Sequence, residues 1–207
     1  MTAPKWLRWS QHIEAIAKGG LAYSTNPFDR ERFTALVKIA AEMMAVQTES
    51  DAGEVLRIFD AQDGYSTPKV DVRGVLFKDS RLLFVRELMD GGRWTLPGGW
   101  VDINEPPSLA IEREMREEAG IIVKAVKLLA VYDRNLHGHP YFPFHAYKLF
   151  FLCEGNEQAP IDPKETSDPT FFAENELPEL STPRVTEPEI LRMFEHLRHP
   201  EYPTDFD

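Results

Sequence analysis

The chain has 207 residues, and its 23 Lys+Arg against 34 Asp+Glu give a formal net charge of −11. With 43% hydrophobic and 28% charged residues it has the balance of a globular protein of one or two domains, which excludes a disordered chain. The acidic charge argues against a protein that holds nucleic acid by its phosphates or lies on an anionic membrane.

Cysteine usage and hydropathy exclude further classes. The single cysteine, Cys153, excludes an intrachain disulfide and a Cys-based zinc site. Because Cys153 follows the apolar run Leu149–Leu152, it is predicted to be a small buried hydrophobe and not a nucleophile. No apolar run approaches about 18 residues, and Met1–His12 lacks the apolar core of a secretory signal. The sequence therefore predicts no membrane span and a cytoplasmic location.

The beginning of the chain predicts helices. Apolar residues recur at helical spacing over Lys5–Lys18, and Gly19-Gly20 predicts the end of that helix. A second helix is predicted to begin at Thr25-Asn26-Pro27 and to run to Val46. Val55–Phe59 alternates apolar and polar residues, which is typical of a short strand.

The pattern changes at about Tyr65, after which strands dominate. Val70–Phe77 and Arg81–Glu87, with a turn between them, predict a β-hairpin. The other predicted elements are a helix over Pro106–Ala119 ended by Gly120, strands over Ile121–Asp133, Pro143–Cys153 and Thr170–Ala173, and a helix over Glu187–Arg198. We therefore predict a helical module at residues 1–62 and a mixed α/β domain at residues 63–207.

Three glutamates on the predicted helix carry the strongest chemical signal. Glu114, Glu117 and Glu118 stand at i, i+3 and i+4, so they share one face of the helix. Like charges at this spacing are unfavourable, and the helix dipole disfavours anions near its C-terminal end. A divalent cation such as Mg²⁺ or Mn²⁺ would reverse that effect, because it prefers oxygen ligands. The alternative for the three glutamates alone is a solvated acidic face.

The wider segment matches all nine fixed positions of the Nudix signature. Those positions are Gly99, Glu105, Arg113, Glu114, Met115, Glu117, Glu118, Gly120 and Ile121. The chain therefore resembles the Nudix hydrolases. The resemblance implies an α/β/α sandwich with a mixed sheet, in which the signature forms a loop-helix-loop. It also implies Mg²⁺-dependent hydrolysis, with Mn²⁺ as an alternative, of a nucleoside diphosphate linked to another group X.

The resemblance extends to a bacterial Nudix branch with a helical N-terminal module. Five segments are similar to that branch: Gly20–Ser24, Asp29–Phe33, Gly64–Arg73, Trp94–Trp100 and Leu177–Ser181. Its members act on X-linked nucleoside diphosphates such as ADP-ribose and CDP-choline. The resemblance implies a homodimer to which the helical module contributes.

The same resemblance implies the metal site. Glu114, Glu117 and Glu118 would be metal ligands, joined by the backbone carbonyl of Gly99. The Gly98-Gly99 pair would let the backbone approach the ligand closely.

Other site residues are less strongly indicated. In the family Arg113 tends to pair with Glu105, so we interpret both as structural. Glu165, on a loop outside the signature, is the predicted general base, with a signature glutamate as its competitor and a solvated loop residue as the alternative. Arg73 and Lys69 could contact the pyrophosphate, because arginine suits bidentate contacts, or could form structural ion pairs.

Arg134 follows a predicted strand and is a further candidate phosphate ligand, with a surface loop as the alternative. The spacing of His137 and His139 beside it is too weak to indicate a second metal.

Three readings of function follow from the resemblance. The first is hydrolysis of an X-linked nucleoside diphosphate such as ADP-ribose or CDP-choline. The second is hydrolysis of a nucleoside triphosphate or an RNA 5′-pyrophosphate. The third is a ligand-sensing regulator on the same scaffold, which the intact signature disfavours. The identity of X and the phosphorus attacked stay open at the level of sequence.

Overall fold

The computed structural model describes residues 4–62, 64–160 and 166–207. Within them lie five α-helices: α1 Lys5–Tyr23, α2 Pro27–Thr48, α3 Ala52–Asp60, α4 Pro107–Ala119 and α5 Glu187–Arg198. The strands are β1 Lys69–Val75, β2 Phe77–Lys78, β3 Arg81–Glu87, β4 Arg93–Thr95, β5 Ile121–Asp133, β6 Ala146–Gln158, β7 Thr166–Phe172 and β8 Asp205–Phe206. No helix in the described ranges is long and apolar enough to span a membrane.

The chain divides into two units. The first comprises Met1–Lys69 and Tyr141–His145, and the second comprises Val70–Pro140 and Ala146–Asp207. The first unit is helical, whereas the second holds both β-sheets and the helices α4 and α5. The predicted fold class, a helical N-terminal module followed by a mixed α/β domain, is confirmed.

In the first unit α1 does not end at the glycine pair. It continues through Gly19-Gly20 to Tyr23, so the predicted helix end is wrong. A β-carbon on Gly20 would lie 2.4 Å from the ring of Phe33 on α2. The missing side chain therefore gives the Phe33 ring its place against α1, and tertiary packing overrides the helix-breaking tendency of glycine.

The segment predicted as a strand near residue 55 is helix α3. Asp51 begins this helix, since its side chain accepts a hydrogen bond from the backbone N–H of Glu54 at 2.9 Å. Val55 and Phe59 are buried at i and i+4 on one face. The strand prediction is wrong because five alternating residues cannot distinguish one helical face from a short strand.

A short segment from far along the chain belongs to the helical unit. The side-chain amide of Gln11 donates a hydrogen bond to the carbonyl of Phe142 at 3.1 Å. The ring of Tyr141 meets Trp6 edge to face, with ring centroids 4.9 Å apart. Both contacts join α1 to residues more than a hundred positions away.

The second unit contains two four-stranded sheets. The first has the order β1-β6-β5-β8, in which β5 pairs antiparallel with β6 and parallel with β8. The second has the order β2-β3-β4, with β7 also pairing antiparallel with β3. The predicted hairpin is therefore only partly right: Phe77–Lys78 pairs with β3, but β1 lies in the other sheet beside β6.

Each helix of this unit buries its apolar face in a different core cluster. Ile111 and Met115 of α4 pack with Val72 and Val123 from β1 and β5. The face of α5 packs in the second cluster, whose members include Phe84, Phe150, Ile190, Met193 and Phe194. Burial of this apolar surface fixes the orientation of α4 and hence the direction of its polar face.

Candidate active site

Helix α4 carries the three predicted ligands and ends as its sequence suggests. Gly120 adopts the left-handed conformation at φ 64°, and its N–H donates to the carbonyl of Arg116 at 3.1 Å. Of the three glutamates Glu118 is buried at 9% exposure, whereas the side chain of Glu117 is 41% exposed. The helix therefore presents carboxylates at different depths.

A glycine loop lies against the buried carboxylate. The backbone N–H of Gly98 donates a hydrogen bond to Oε2 of Glu118 at 2.8 Å. Gly98 has φ +145°, and a β-carbon there would lie 1.9 Å from the carbonyl oxygen of Val72. Only glycine fits this close approach to β1.

Neighbouring hydrogen bonds hold the same loop on β1. The N–H of Val72 donates to the carbonyl of Gly99 at 2.9 Å, and the N–H of Gly74 donates to Pro97 at 2.8 Å. A β-carbon on Gly99 would lie 2.8 Å from Oε1 of Glu114, so this carboxylate also contacts the loop. The backbone of Gly98-Gly99 thus lies against both Glu114 and Glu118.

Arg113 links the remaining signature residues. Its Nε and Nη2 donate to the two carboxylate oxygens of Glu105 at 3.0 and 2.9 Å, which is the contact that the resemblance implied. Its Nη1 donates to Oε1 of Glu114 at 2.9 Å and to Oε2 of Glu117 at 3.2 Å. One guanidinium therefore ties the loop to α4 and neutralises part of the carboxylate charge.

Burial shifts the protonation of the two inner glutamates. The pKa of Glu118 is raised to about 8, chiefly by burial and to a smaller extent by the charges of Glu114 and Glu87, against the lowering effects of the Gly98 N–H and the charge of Arg73. Burial also raises the pKa of Glu114, against the lowering effect of Arg113. Burial thus favours the neutral forms of these two groups, and a cation bound beside them would favour the charged forms.

These residues fit a divalent cation. In the described ranges no three His, Cys, Asp or Glu side chains come close enough together to form a complete metal cage. Mg²⁺ does not require one, because it is typically held by one or two carboxylates, waters and substrate phosphates. Glu114 and Glu118 are two such carboxylates in contact with one loop, whereas Glu117 contacts Arg113 and Arg116.

Arg73 is buried and contacts the segment that leads into the glycine loop. Its Nη2 and Nε donate to the carboxylate of Asp71 at 2.8 and 3.1 Å, and its Nη1 donates to the carbonyl of Leu96 at 3.1 Å. Lys148 donates to the same aspartate at 2.6 Å. Arg73 therefore supports the loop two residues before Gly98, and its contact with a substrate stays a prediction.

The other predicted substrate ligands also contact protein groups. The Nζ of Lys69 lies over the ring of Phe144, 4.9 Å from its centroid. Arg134 is buried and donates to the carbonyls of Pro140 at 2.8 Å and Pro183 at 3.3 Å. Burial lowers the pKa of Arg134 to about 10. Substrate contacts by these two side chains stay predictions.

One predicted site residue falls outside the described ranges, and an ion pair that the sequence did not indicate joins Glu87 and Arg184. Glu165 lies outside the described residues. Glu87, at the end of β3, is buried, and its Oε2 forms an ion pair with Nε of Arg184 at 2.6 Å. The only sequence signal for Glu87 was a carboxylate directly following an apolar strand, which is also common at surface strand ends.

Comparison with known proteins decides the family. Residues 67–194 match the NUDIX domain. The chain belongs to the Nudix family. Residues 4–59 match a domain described as UDP-X-like, N-terminal oligomerisation domain. The predicted assignment to the Nudix pyrophosphohydrolases is thereby confirmed.

Relatives extend the similarity to the whole chain. The Bacillus subtilis protein named "Putative ADP-ribose pyrophosphatase YjhB" is 41% identical over 203 residues, which cover 98% of this chain and 97% of the relative. An ADP-ribose pyrophosphatase of Methanocaldococcus jannaschii is 34% identical over 125 residues, covering 56% of this Nudix chain and 69% of the relative.

Solved structures share the fold. A UDP-X diphosphatase has 30% identity and a TM-score of 0.60, with both chains covered completely. An ADP-ribose pyrophosphatase from Streptococcus suis has 33% identity and a TM-score of 0.60, covering 68% of this chain and all of that one.

Proposed function

We propose that this Nudix enzyme hydrolyses the pyrophosphate bond of a nucleoside diphosphate linked to another group. ADP-ribose is the leading substrate, with AMP and ribose 5-phosphate as products, and CDP-choline is the second. The observation that carries the proposal is the contact of two carboxylates, the buried Glu118 and the partly buried Glu114, with one glycine loop. The full-length similarity to a relative named for ADP-ribose supports the choice of substrate.

Mg²⁺ is the proposed cofactor, with Mn²⁺ as an alternative. When bound, it would neutralise phosphate charge and lower the pKa of an attacking water. We assign its binding to Glu114 and Glu118, with Glu117 and the carbonyl of Gly99 as further proposed ligands. That carbonyl already accepts a hydrogen bond from Val72, but its second lone pair leaves capacity for a cation.

The chain's own residues position these ligands. The N–H of Gly98 orients Glu118, and Arg113 orients Glu114 while joining the loop through Glu105. Phosphoryl transfer depends mainly on positioning and charge stabilisation, so fixed carboxylates match the proposed chemistry. The proposed general base is Glu165, with a signature glutamate as its competitor.

We further propose that the helical unit forms a homodimer. Exposed large apolar side chains follow one stripe on each of its two long helices: Trp9, Ile16 and Tyr23 on α1, and Phe28, Ile39 and Val46 on α2. At about 100° per residue each set falls within about 40° on its helix. Apolar stripes of this kind mark interaction surfaces, and the match to an oligomerisation domain favours a second copy as the partner.

The test of the reaction is a nucleotide panel. Purified protein with Mg²⁺ or Mn²⁺ is given ADP-ribose, CDP-choline, a UDP-sugar, nucleoside triphosphates and RNA with a 5′-triphosphate. We expect a nucleoside monophosphate from the X-linked diphosphates, and products formed in ¹⁸O water identify the phosphorus attacked. Turnover confined to triphosphates or RNA, or no turnover with either metal, would overturn the proposal.

A further inference from the structure

Three consecutive backbone carbonyls before α5 are each held by a different side chain. This pinned loop comprises Thr182, Pro183 and Arg184. Its hydrogen bonds run from His139 Nδ1 to Thr182 O at 2.8 Å, from Arg134 Nη2 to Pro183 O at 3.3 Å, and from Lys148 Nζ to Arg184 O at 2.6 Å. Loop carbonyls are commonly left to water, so three side-chain donors in a row fix the position of this loop unusually well.

Two of the three donors, Lys148 and His139, are themselves held by buried carboxylates. Lys148 is 1% exposed and donates to Asp71 at 2.6 Å. The Nε2 of His139 lies 2.9 Å from Oε1 of Glu189, and both side chains are inaccessible to solvent. A buried ion pair adds little net stability but specifies one arrangement of the groups it joins.

The pinned loop presents the side chain of Arg184 to the end of β3. Its Nε lies 2.6 Å from Oε2 of Glu87, whose Oε1 accepts the backbone N–H of Met89 at 2.9 Å. The side chain of Glu87 is 4% exposed, whereas that of Arg184 is 32% exposed. The carboxylate is thus fixed and buried, while part of the guanidinium side chain faces solvent.

This ion pair is linked by hydrogen bonds to the glycine loop of the proposed metal site. Lys148, which donates to the carbonyl of Arg184, also donates to Asp71 at 2.6 Å. Asp71 accepts from Arg73, whose Nη1 donates to the carbonyl of Leu96, two residues before Gly98.

Glu87 is close enough to Glu118 for its charge to raise the pKa of that carboxyl group. If the proposed function is right, the diphosphate binds at this loop and its carboxylates. The positive charge of the Arg184 guanidinium would then attract the negative charge of the phosphates.

We propose that Arg184 is a substrate-binding residue that contacts the diphosphate, and that Glu87 pairs with its guanidinium in the free enzyme and competes with the substrate for it. The inference rests on the proposed function. A guanidinium presents a planar fork of donors that matches two phosphate oxygens, which a lysine ammonium does not. The diphosphate carries more charge than one carboxylate, so it draws the exposed part of the side chain toward it.

The test replaces each partner of the ion pair in turn and measures how tightly the protein binds substrate. Binding of ADP-ribose is measured by calorimetry in EDTA, where no turnover occurs, and KM and kcat are measured with Mg²⁺. We expect Arg184→Met to raise Kd and KM about tenfold or more, because a charge-assisted bidentate contact is lost. Arg184→Lys should restore only part of the affinity, whereas Glu87→Gln should lower Kd.

A double substitution separates the proposed competition from a general charge effect. If Glu87 competes for Arg184, Glu87→Gln should tighten binding less in the Arg184→Met background than in the wild type. The control is Arg81→Met, which removes an exposed arginine paired with Glu176 at the other end of β3 and should leave Kd within twofold.

Several results would overturn the inference. One is an Arg184→Met protein that melts like the wild type and binds ADP-ribose equally well. Another is a Glu87→Gln protein that loses affinity as Arg184→Met does, which would indicate a structural ion pair. If Arg184→Met does not fold, the Arg184→Lys protein decides, since wild-type affinity there would contradict a bidentate contact. If the wild type turns over ADP-ribose and these variants bind and turn it over equally well, only this inference is refuted. If the wild type neither binds nor hydrolyses an X-linked diphosphate, the proposed function is refuted as well.

Discussion

The carboxylate of Glu118 accepts a hydrogen bond from the backbone N–H of Gly98 at 2.8 Å, which joins the end of α4 to the loop after β4. The two residues are 20 positions apart in the chain. Because the glycine loop is also bonded to β1 through Val72, a shift of the loop would move the inner carboxylate of the proposed metal site.

Replacing Gly98 should therefore damage both stability and activity. In Gly98→Ala the added β-carbon would lie 1.9 Å from the carbonyl oxygen of Val72, at a φ that alanine avoids. We expect a loss of about 3 kcal/mol or more in the free energy of unfolding, measured in urea, and a large drop in turnover. Gly91→Ala is the control, because Gly91 also has a positive φ of +65° but no atom lies within 4 Å of an added β-carbon. This variant should lose about 1–2 kcal/mol in the free energy of unfolding. Equal losses in the two variants would contradict the steric argument.

Glu118→Gln should abolish the response to metal without unfolding the protein. The amide replaces a carboxyl group whose charged form is poorly solvated, so the melting temperature without metal should stay the same or rise. We expect Mg²⁺ to raise the melting temperature of the wild type but not of this variant, and turnover to fall about 100-fold or more. Near-normal turnover would remove Glu118 from the proposed ligands.

Glu112→Gln is the matched control for that experiment. Glu112 lies on the same helix but pairs with Lys124 at 2.8 Å, and its other carboxylate oxygen accepts the N–H of Ala125. This variant should keep both the turnover and the melting shift with Mg²⁺. A loss of the Mg²⁺ response in both variants would point to a general charge effect of the helix.

Acid should weaken the contact of β8 with α5. Hydrogen bonds from Arg192 and, to a smaller extent, from His196 lower the pKa of Asp205 to about 2. A carboxyl group whose folded pKa lies below its unfolded value of about 3.9 stabilises the fold above that value, and this contribution disappears as the pH falls through 2. It amounts to about 2 kcal/mol at most, since the side chain is 19% exposed.

Asp205→Asn tests this contribution. The variant should be less stable than the wild type at neutral pH, and the difference should shrink between pH 4 and pH 2 in urea unfolding series. Glu176→Gln, which removes a carboxylate from an exposed pair with Arg81, is the control and should change the stability little. A difference between wild type and Asp205→Asn that is constant with pH would exclude a titration of this group as its cause.

A charge on the apolar stripe of the helical unit should dissociate the proposed homodimer. Ile16 and Ile39 are 56% and 49% exposed in the isolated chain. We expect the wild type to sediment as a dimer at micromolar concentration, and Ile16→Glu or Ile39→Glu to sediment as a monomer, because a buried unpaired carboxylate is costly. Ile122→Glu, at an exposed site of 42% on β5, should leave the dimer intact. A monomeric wild type would refute the proposal.

The single thiol should be unreactive while the protein is folded. Cys153 is buried, and burial raises its pKa to about 12, so the reactive thiolate is scarce at neutral pH. We expect a thiol reagent to label the native protein at least about 100-fold more slowly than the protein unfolded in urea. Equal labelling rates would show that the strand β6 around this residue opens readily.

Local signals made several elements predictable from sequence. Helix α5 spans Glu187–Arg198 as expected, and α4 begins at Pro107, one residue after the expected start, and ends before Gly120. Prolines in the first turn, a glycine cap and apolar spacing all act within a few residues of the helix they define. The same locality explains why the signature glutamates could be placed on one helical face.

Long-range contacts made other elements unpredictable. The glycine pair at Gly19-Gly20 stops an isolated helix more readily than one packed against a ring of α2. Val70–Val75 is followed by a turn and a strand, yet β1 joins β6 in the other sheet. Strand partners are chosen by core packing across many residues, which the order of residues along the chain does not display.

The order of residues alone was enough to identify the family, the helix that carries the acidic residues and the glycine loop in front of it, because each depends on residues close together in the chain. Only the tertiary structure brought Gly98 to Glu118 and Arg184 to Glu87. Those contacts join residues 20 and 97 positions apart (118 − 98 and 184 − 87). They arise because burial of the apolar faces of α4 and the sheets fixes where distant polar groups meet.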